Sequence, residues 1–254
     1  MGERINTITK LFFVICFALY QMVIIAQVQY ERNSNSDKND LKLLKDIDGN
    51  EYKVVRIGDQ FWMAENLRTN RFRNGDKIDN IKSDYRWARS KKAAWSWYKN
   101  APSNDTLFGK LYNLHAVNDL RCLCPEGWHI PSKEEWNTLI DYVQFTYQNK
   151  SHSKLLKSEK GWHQNQNIKN NLGFSGLPGG FRAYRYWDER LYNPFDPPSN
   201  TTFYFVKYFG VWWNSNNGYF LLGYDDNARP KGLEDSRYSA FGFSVRCIKD
   251  SFKS

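Results

Sequence analysis

The stretch CPEGWHIPSKEEW, residues 124–136, decides how this chain is read. Ser132-Lys133-Glu134-Glu135 is a capping box: the Ser132 hydroxyl can accept from the Glu135 N–H while the Glu135 carboxylate reaches back to the Ser132 N–H. A helix therefore starts at Lys133. Trp136, Leu139, Ile140 and Val143 then fall at i, i+3, i+4 and i+7, one apolar stripe along a helix of about three to four turns that ends before Gln148-Asn149. Pro131 fixes the entry, and Gly127 permits a tight turn after Pro125. His129 has no visible chemical partner in the sequence, and a hydrogen-bonded strand or core histidine is expected.

Downstream, NLGFSGLPGGFR (171–182) holds four glycines and one proline in twelve positions. Its spacing fits neither GxGxxG nor GxxxxGK[ST], and Leu177 stands where a nucleophile elbow around Ser175 needs its second glycine. It reads as a buried irregular loop whose glycines let the backbone pass beneath aromatic rings. The late stretches YFGVWWNSNNGYFLLGYDDN and SAFGFSVRCIKD read as short strands around turns that close a sheet.

Upstream, DIDGNEYKVVRIGDQFWMAENL opens with a turn at Asp48-Gly49-Asn50. A strand around Tyr52–Val55 follows, then a second turn at Gly58-Asp59 and a return strand from Gln60 to Met63. Residues 67 to 99 differ in kind, with ten basic and three acidic residues, +7 of a formal +9 for the whole chain. Interleaved Tyr85, Trp87, Trp95 and Trp97 give two readings: a groove that stacks and neutralises a polyanion, or a solvated loop whose tryptophans lie in the core.

The first 26 residues carry Arg4 and Lys10 ahead of an apolar run from Leu11 to Tyr20, which reads as a secretory signal with cleavage after Ala26. The alternative is a retained membrane anchor, which needs about 20 apolar residues, and Gln21 interrupts this run. Residues 27–45 are polar and aperiodic, a tether ahead of a folded part at 46–250. The expected location is secreted or at the cell surface, with the membrane touched only in export and nucleic acid a poor partner. The chain carries 10 Trp, 16 Tyr and 17 Phe. That alphabet suits short strands and long, pinned loops, because each ring covers much apolar surface from few positions.

Export sets an oxidising context for Cys122, Cys124 and Cys247. Cys122 and Cys124 are too close to bridge comfortably, so one of them is expected to join Cys247, and the third is either buried or without an assigned role. The loop closed would be worth about 4 to 5 kcal/mol by chain entropy. His115, His129, His152 and His163 show no HExxH spacing, and no second cysteine pair completes a zinc set, so neither metal nor cofactor is expected.

Six blocks in order, DIDGNEYKVVRIGDQFWMAENL, FGKLYNLHAV, CPEGWHIPSKEEW, GFSGLPGGFR, WWNSNN and GFSVRCIKD, resemble the Fibrobacter succinogenes major paralogous domain from about Asp46 to Asp250. The resemblance implies an α+β, C-type-lectin-like fold, similar also to formylglycine-generating-enzyme-like domains, with short twisted antiparallel strands, few helices and long aromatic-rich loops. It implies Cys124–Cys247 as the bridge and Cys122 as this chain's own addition. The calcium and sugar signatures of C-type lectins are absent, since Trp213-Asn214 runs into Ser215. The late cysteine pair of formylglycine-generating enzymes is absent too.

The family has no established reaction, and two classes of function stay open. One is a non-catalytic secreted or surface module for an acidic glycan or another surface component. Its contacts would be Trp95, Trp97, Trp212 and Trp213, with Arg86, Arg89, Lys91 and Lys92 supplying charge. The other is a polysaccharide hydrolase or lyase drawing a carboxylate pair from Glu65, Asp119, Glu134 or Asp188, at the roughly 5 to 10 Å separation such chemistry uses. A structural component of a surface protein assembly shares every feature of the first class.

Overall fold

The helix foreseen from the capping box runs from Lys133 to Thr146. Ser132 Oγ accepts the Glu135 N–H at 3.1 Å and Glu135 Oε2 accepts the Ser132 N–H at 2.8 Å, so two otherwise orphaned donors are satisfied. Trp136, Leu139, Ile140 and Val143 are its buried face. The WWNSNN turn docks on the same end: Asn216 Oδ1 accepts the Lys133 N–H and the Ser215 N–H donates to the Pro131 carbonyl.

A computed structural model describes residues 20–22, 43–148, 151–163, 168, 172–183, 202–225, 228–232 and 240–251. The expected signal lies outside these apart from the helical turn 20–22, and so does the expected tether up to residue 42. The folded unit begins at Leu43. Leu44–Lys45 already pairs with Glu51–Tyr52, so ordered pairing starts just upstream of the expected boundary at Asp46. No helix among the described residues is long and apolar enough to cross a membrane.

The fold is α+β, with short strands that are antiparallel apart from one parallel pair. Val54–Ile57 and Gln60–Met63 form the expected hairpin, and Gly58 at φ 61° supplies the left-handed residue its turn requires. The last strand, Ile248–Lys249, lies between Gln60–Met63 and Trp128–His129 in a four-stranded sheet. The tail of the chain therefore closes the sheet that its beginning opens. Next to that strand, Cys247 is bonded to Cys124, the pairing that the resemblance implies.

A six-stranded sheet orders Phe203–Tyr204, Phe181–Arg182, Gly242–Phe243, Leu111–Asn113, Ala94–Ser96 and Asp79–Asn80, with the last two strands parallel. A third sheet is the meander Phe209–Trp213, Gly218–Gly223, Ala228–Gly232. The long helix packs its stripe between these elements. Trp136 stacks on Phe220 at 4.2 Å and lies 4.6 Å from Trp62, with Phe174 and Trp212 at 6.0 and 6.4 Å. All five rings are fully buried.

The GFSGLPGGFR loop does pass beneath rings. A Cβ on Gly176 would stand 2.7 Å from Leu222 Cδ1, 2.8 Å from the Leu156 carbonyl and 3.4 Å from the Trp212 ring, so only hydrogen fits.

Four cations among the described residues are buried against aromatic rings, Lys157 lying 4.8 Å over Trp162. Arg246 stands 4.3 Å over Phe174 and 5.3 Å over Trp212, and donates to the Phe174 carbonyl and to Asn66 Oδ1. Burial pushes its pKa down to about 9. Arg182 lies 4.4 Å over Trp87 and 4.9 Å over Phe203 while bonding Asp84 and the carbonyls of Ile81 and Lys82. Lys110 sits 4.8 Å over Trp95 and 5.9 Å over Trp97, tied to Asp105 at 2.9 Å and to the Arg68 carbonyl. Ring faces that could have met ligand instead neutralise part of the burial penalty of the protein's own cations.

Candidate functional site

The basic segment divides by residue type. Arg68, Arg71 and Arg73 are committed to the framework: Arg68 bonds the Glu51 carbonyl, Arg71 bonds Asp48 and the Gly75 carbonyl, and Arg73 holds the carbonyls of Cys124, Pro125 and Trp128. A planar fork with five donors suits such multi-acceptor corners better than an ammonium does. Lys77, Lys91 and Lys92 are exposed and form no ion pair among the described residues.

These three lysines face one cleft of about 650 Å³, in the size range of small-ligand sites. Phe72, Asp79, His115, Asn118, Asp119 and Arg121 also line it. Four separate local structures deliver these groups. A tight turn at 72–76, closed by Phe72 and Asp76 backbone bonds and an Arg71–Lys77 bridge, sets Lys77 at its base. Parallel pairing of Asp79 with Ala94 brings Asp79 beside the segment carrying Lys91 and Lys92.

Asn113 fixes that segment to the helix Leu114–Val117. Its Oδ1 caps the helix by accepting the Ala116 N–H and also accepts the Ala94 N–H, while its Nδ2 donates to the Lys92 carbonyl. One buried amide thus sets the spacing between the lysine loop and the helix bearing His115. Ser90 pins the same loop from the other side, its Oγ accepting the Lys92 N–H and donating to the Lys92 carbonyl.

Arg121 forms the far wall. Its Nε and Nη2 meet the two oxygens of Asp119 at 2.9 and 2.8 Å, its Nη1 meets Asp76 at 2.9 Å, and the guanidinium lies 4.2 Å over the Phe72 ring. Hydrogen bonds from Arg121 hold both carboxyls below the usual range, and those two carboxylates raise Arg121 in turn. The wall is therefore a staple in which one guanidinium holds two carboxylates. Lys77, Lys91, Lys92 and Arg121 stand against Asp79, Asp119 and the Asp76 that Arg121 also holds, leaving a surplus of one positive charge among these side chains.

Of the expected contacts, Lys91 and Lys92 line this cleft, whereas Arg86 and Arg89 lie on the helix Asp84–Arg89 outside it. Arg89 stacks instead on Tyr85 at 3.8 Å. The tryptophans require correction. Trp95, Trp212 and Trp213 are buried, and their indole N–H groups donate to the Ile78 carbonyl, to Asn66 and to the Tyr112 carbonyl. Trp97 is half-buried, bonded to Asp105 and packed edge-on against Trp95 at 4.8 Å. None of the four lines the cleft. The rings of Trp95, Trp212 and Trp213 are core, packed against internal cations or neighbouring rings.

The sequence reading missed Lys77, Asp79, His115, Asn118 and Arg121 as members of one site. Only Lys77 and Asp79 lay within the basic segment, and no local spacing links them to 115–121. Three of the four proposed carboxylates lie among the described residues. Asp119 is held by Arg121, Glu65 lies 3.7 Å from Arg68, Glu134 is exposed on the first turn of the long helix, and Asp188 lies outside the described residues. Cys122 is an exposed free thiol, correcting one of the two roles expected for it, burial.

His129 does have partners. Its Nδ1 is 2.5 Å from Asp250 and its Nε2 lies 2.9 and 3.0 Å from the two oxygens of Glu135. The hydrogen bond to Glu135 leads in raising the imidazole pKa, with Asp250 adding to it. Burial alone would lift Glu135, but bonds from His129 and the Ser132 N–H outweigh it and hold the carboxyl low. Both ring nitrogens are thus engaged, and Glu135 also serves the capping box. The trio joins the strand Trp128–His129, the long helix and the chain end as a structural clamp.

The family model described as the Fibrobacter succinogenes major domain matches residues 55–249. No curated protein and no solved structure matches the chain.

Proposed function

This chain belongs to the Fibrobacter succinogenes major domain family, and from that premise we propose that it is a non-catalytic, secreted or cell-surface module that binds an acidic glycan or another acidic surface component. The observation that carries the reading is the cleft lined by three lysines that form no ion pair among the described residues. Binding there is electrostatic and needs no ring stacking, because none of the four expected tryptophans lines the cleft. The ammonium groups are point charges without a fixed acceptor geometry, so they select charge more than stereochemistry. The Cys124–Cys247 bridge and the apolar run at the chain start support an extracellular setting. We read the fold as C-type-lectin-like, in keeping with a terminal strand inserted beside the opening hairpin and cross-linked next to it.

The test is biolayer interferometry of the purified protein against immobilised dextran sulfate, polygalacturonate and neutral dextran. Binding to at least one acidic polymer and none to neutral dextran is expected. It should weaken steeply between about 0.1 M and about 1 M salt, as the screening length falls from about 10 to about 3 Å. Equal signals from wild type and a K77A/K91A/K92A variant on every acidic polymer would remove the cleft as the binding site.

A further inference from the structure

Asp79 is the odd member of the cleft. It is exposed, lines the cleft beside Lys77, Lys91 and Lys92, and yet forms no ion pair or side-chain hydrogen bond among the described residues. Asp119, the other lining carboxylate, is spoken for by Arg121. Asn118 also lines the cleft, and it donates its Nδ2 to Asn217 Oδ1 at 2.7 Å, a bond that does not use its own amide oxygen.

A site for a bare or densely charged anion gains nothing from such groups, because a carboxylate repels the ligand and a free carbonyl oxygen offers it no donor. Both become favourable when the ligand brings O–H donors next to its charge. Resting on the acidic-ligand reading above, we propose that the cleft is selective for a saccharide unit with a single anionic group among free hydroxyls, a uronic-acid type of ligand. Lys91, Lys92 and Lys77 meet the carboxylate, and Asp79 and Asn118 accept from the hydroxyls. Asp79 is then the specificity-determining residue, attracting hydroxylated sugars and disfavouring polysulfated chains and inorganic oxyanions. No bond is made or broken, and no metal takes part.

The experiment is titration calorimetry of the full chain with a short oligogalacturonide, with dextran sulfate and with inorganic sulfate, comparing wild type, Asp79→Ala and a K91A/K92A variant. Near-UV circular dichroism confirms that each variant keeps its tertiary packing. Removing Asp79 should weaken the oligogalacturonide about tenfold, the loss expected for a hydrogen bond to a charged acceptor, while strengthening dextran sulfate and inorganic sulfate. K91A/K92A should weaken the oligogalacturonide and dextran sulfate together. If Asp79→Ala leaves the oligogalacturonide unchanged or tightens it, Asp79 is only an electrostatic opponent of anions. The hydroxyl selectivity then fails while the cationic cleft stands. The same holds if wild type binds dextran sulfate and not the oligogalacturonide. If K91A/K92A binds all three probes as wild type does, the cleft reading itself is wrong.

Discussion

Removing the Cys124–Cys247 cross-link by a C124A/C247A double substitution should lower the free energy of unfolding by about 5 kcal/mol. The bridge closes a loop between residues 123 apart in sequence, and the loop-entropy relation for that length gives about 16 cal/mol/K, or about 5 kcal/mol at 25 °C. Both sulfurs are buried, so two alanines also leave unfilled space, which pushes the loss in the same direction. The native neighbourhood does not depend on the bond alone. Ile248 pairs with His129, Lys249 with Trp128, and the Met63 N–H donates to the Cys247 carbonyl at 3.0 Å. The variant should therefore fold to the same structure and lose stability mainly because its unfolded chain is freer. Urea unfolding followed by tryptophan fluorescence measures this: the midpoint falls, and the slope rises as the unfolded state expands. A loss under about 1 kcal/mol would refute the unfolded-state account. A C122A variant is the companion control. It should keep the wild-type midpoint, and a loss as large as that of the double variant would mean that Cys122 is the bridging partner in solution.

The His129 clamp makes stability depend on pH in two limbs. A raised histidine contributes fully below its ordinary value of 6.5, and the contribution is lost as pH rises through the folded value. A lowered carboxyl contributes fully above its ordinary value of 4.5, and its contribution is lost as pH falls through the folded value. The clamp is thus strongest between the two, and thermal melts of H129Q should lose the decline that wild type shows above 6.5. An unchanged alkaline limb in H129Q would show that the clamp carries no net stability. Gly176→Ala should destabilise by about 1 to 3 kcal/mol, because its methyl group enters space held by Leu222 and the Leu156 carbonyl. A neutral result in urea titration would mean that the glycine loop can retreat from those contacts.

The functional reading changed most where rings and cations meet. A surplus of both in one chain suggests an external polyanion, but the structure sets Lys110 over Trp95 and Trp97, Arg182 over Trp87, and Arg246 over Trp212. The arginines' partners are distant in the chain, as the 180 residues between Arg246 and its hydrogen-bond acceptor Asn66 illustrate. The lysines left over, rather than the aromatic residues, mark the candidate site.

The sequence by itself determined whatever depends on neighbours a few positions apart: the capping box and its apolar stripe, the Gly58 hairpin, and the glycine loop too crowded for side chains. It also narrowed the bridge to two candidate cysteines for one partner, and the family resemblance chose between them. Only the tertiary structure decided which ring faces are occupied, that His129 is clamped between two carboxylates, and that Lys77, Asp79, Lys91, Lys92, His115 and Arg121 share a cleft. The physical reason is range. Turns and caps are fixed by bonds between residues three or four apart, whereas a cleft exists only after strands and loops from separate parts of the chain have been brought into register.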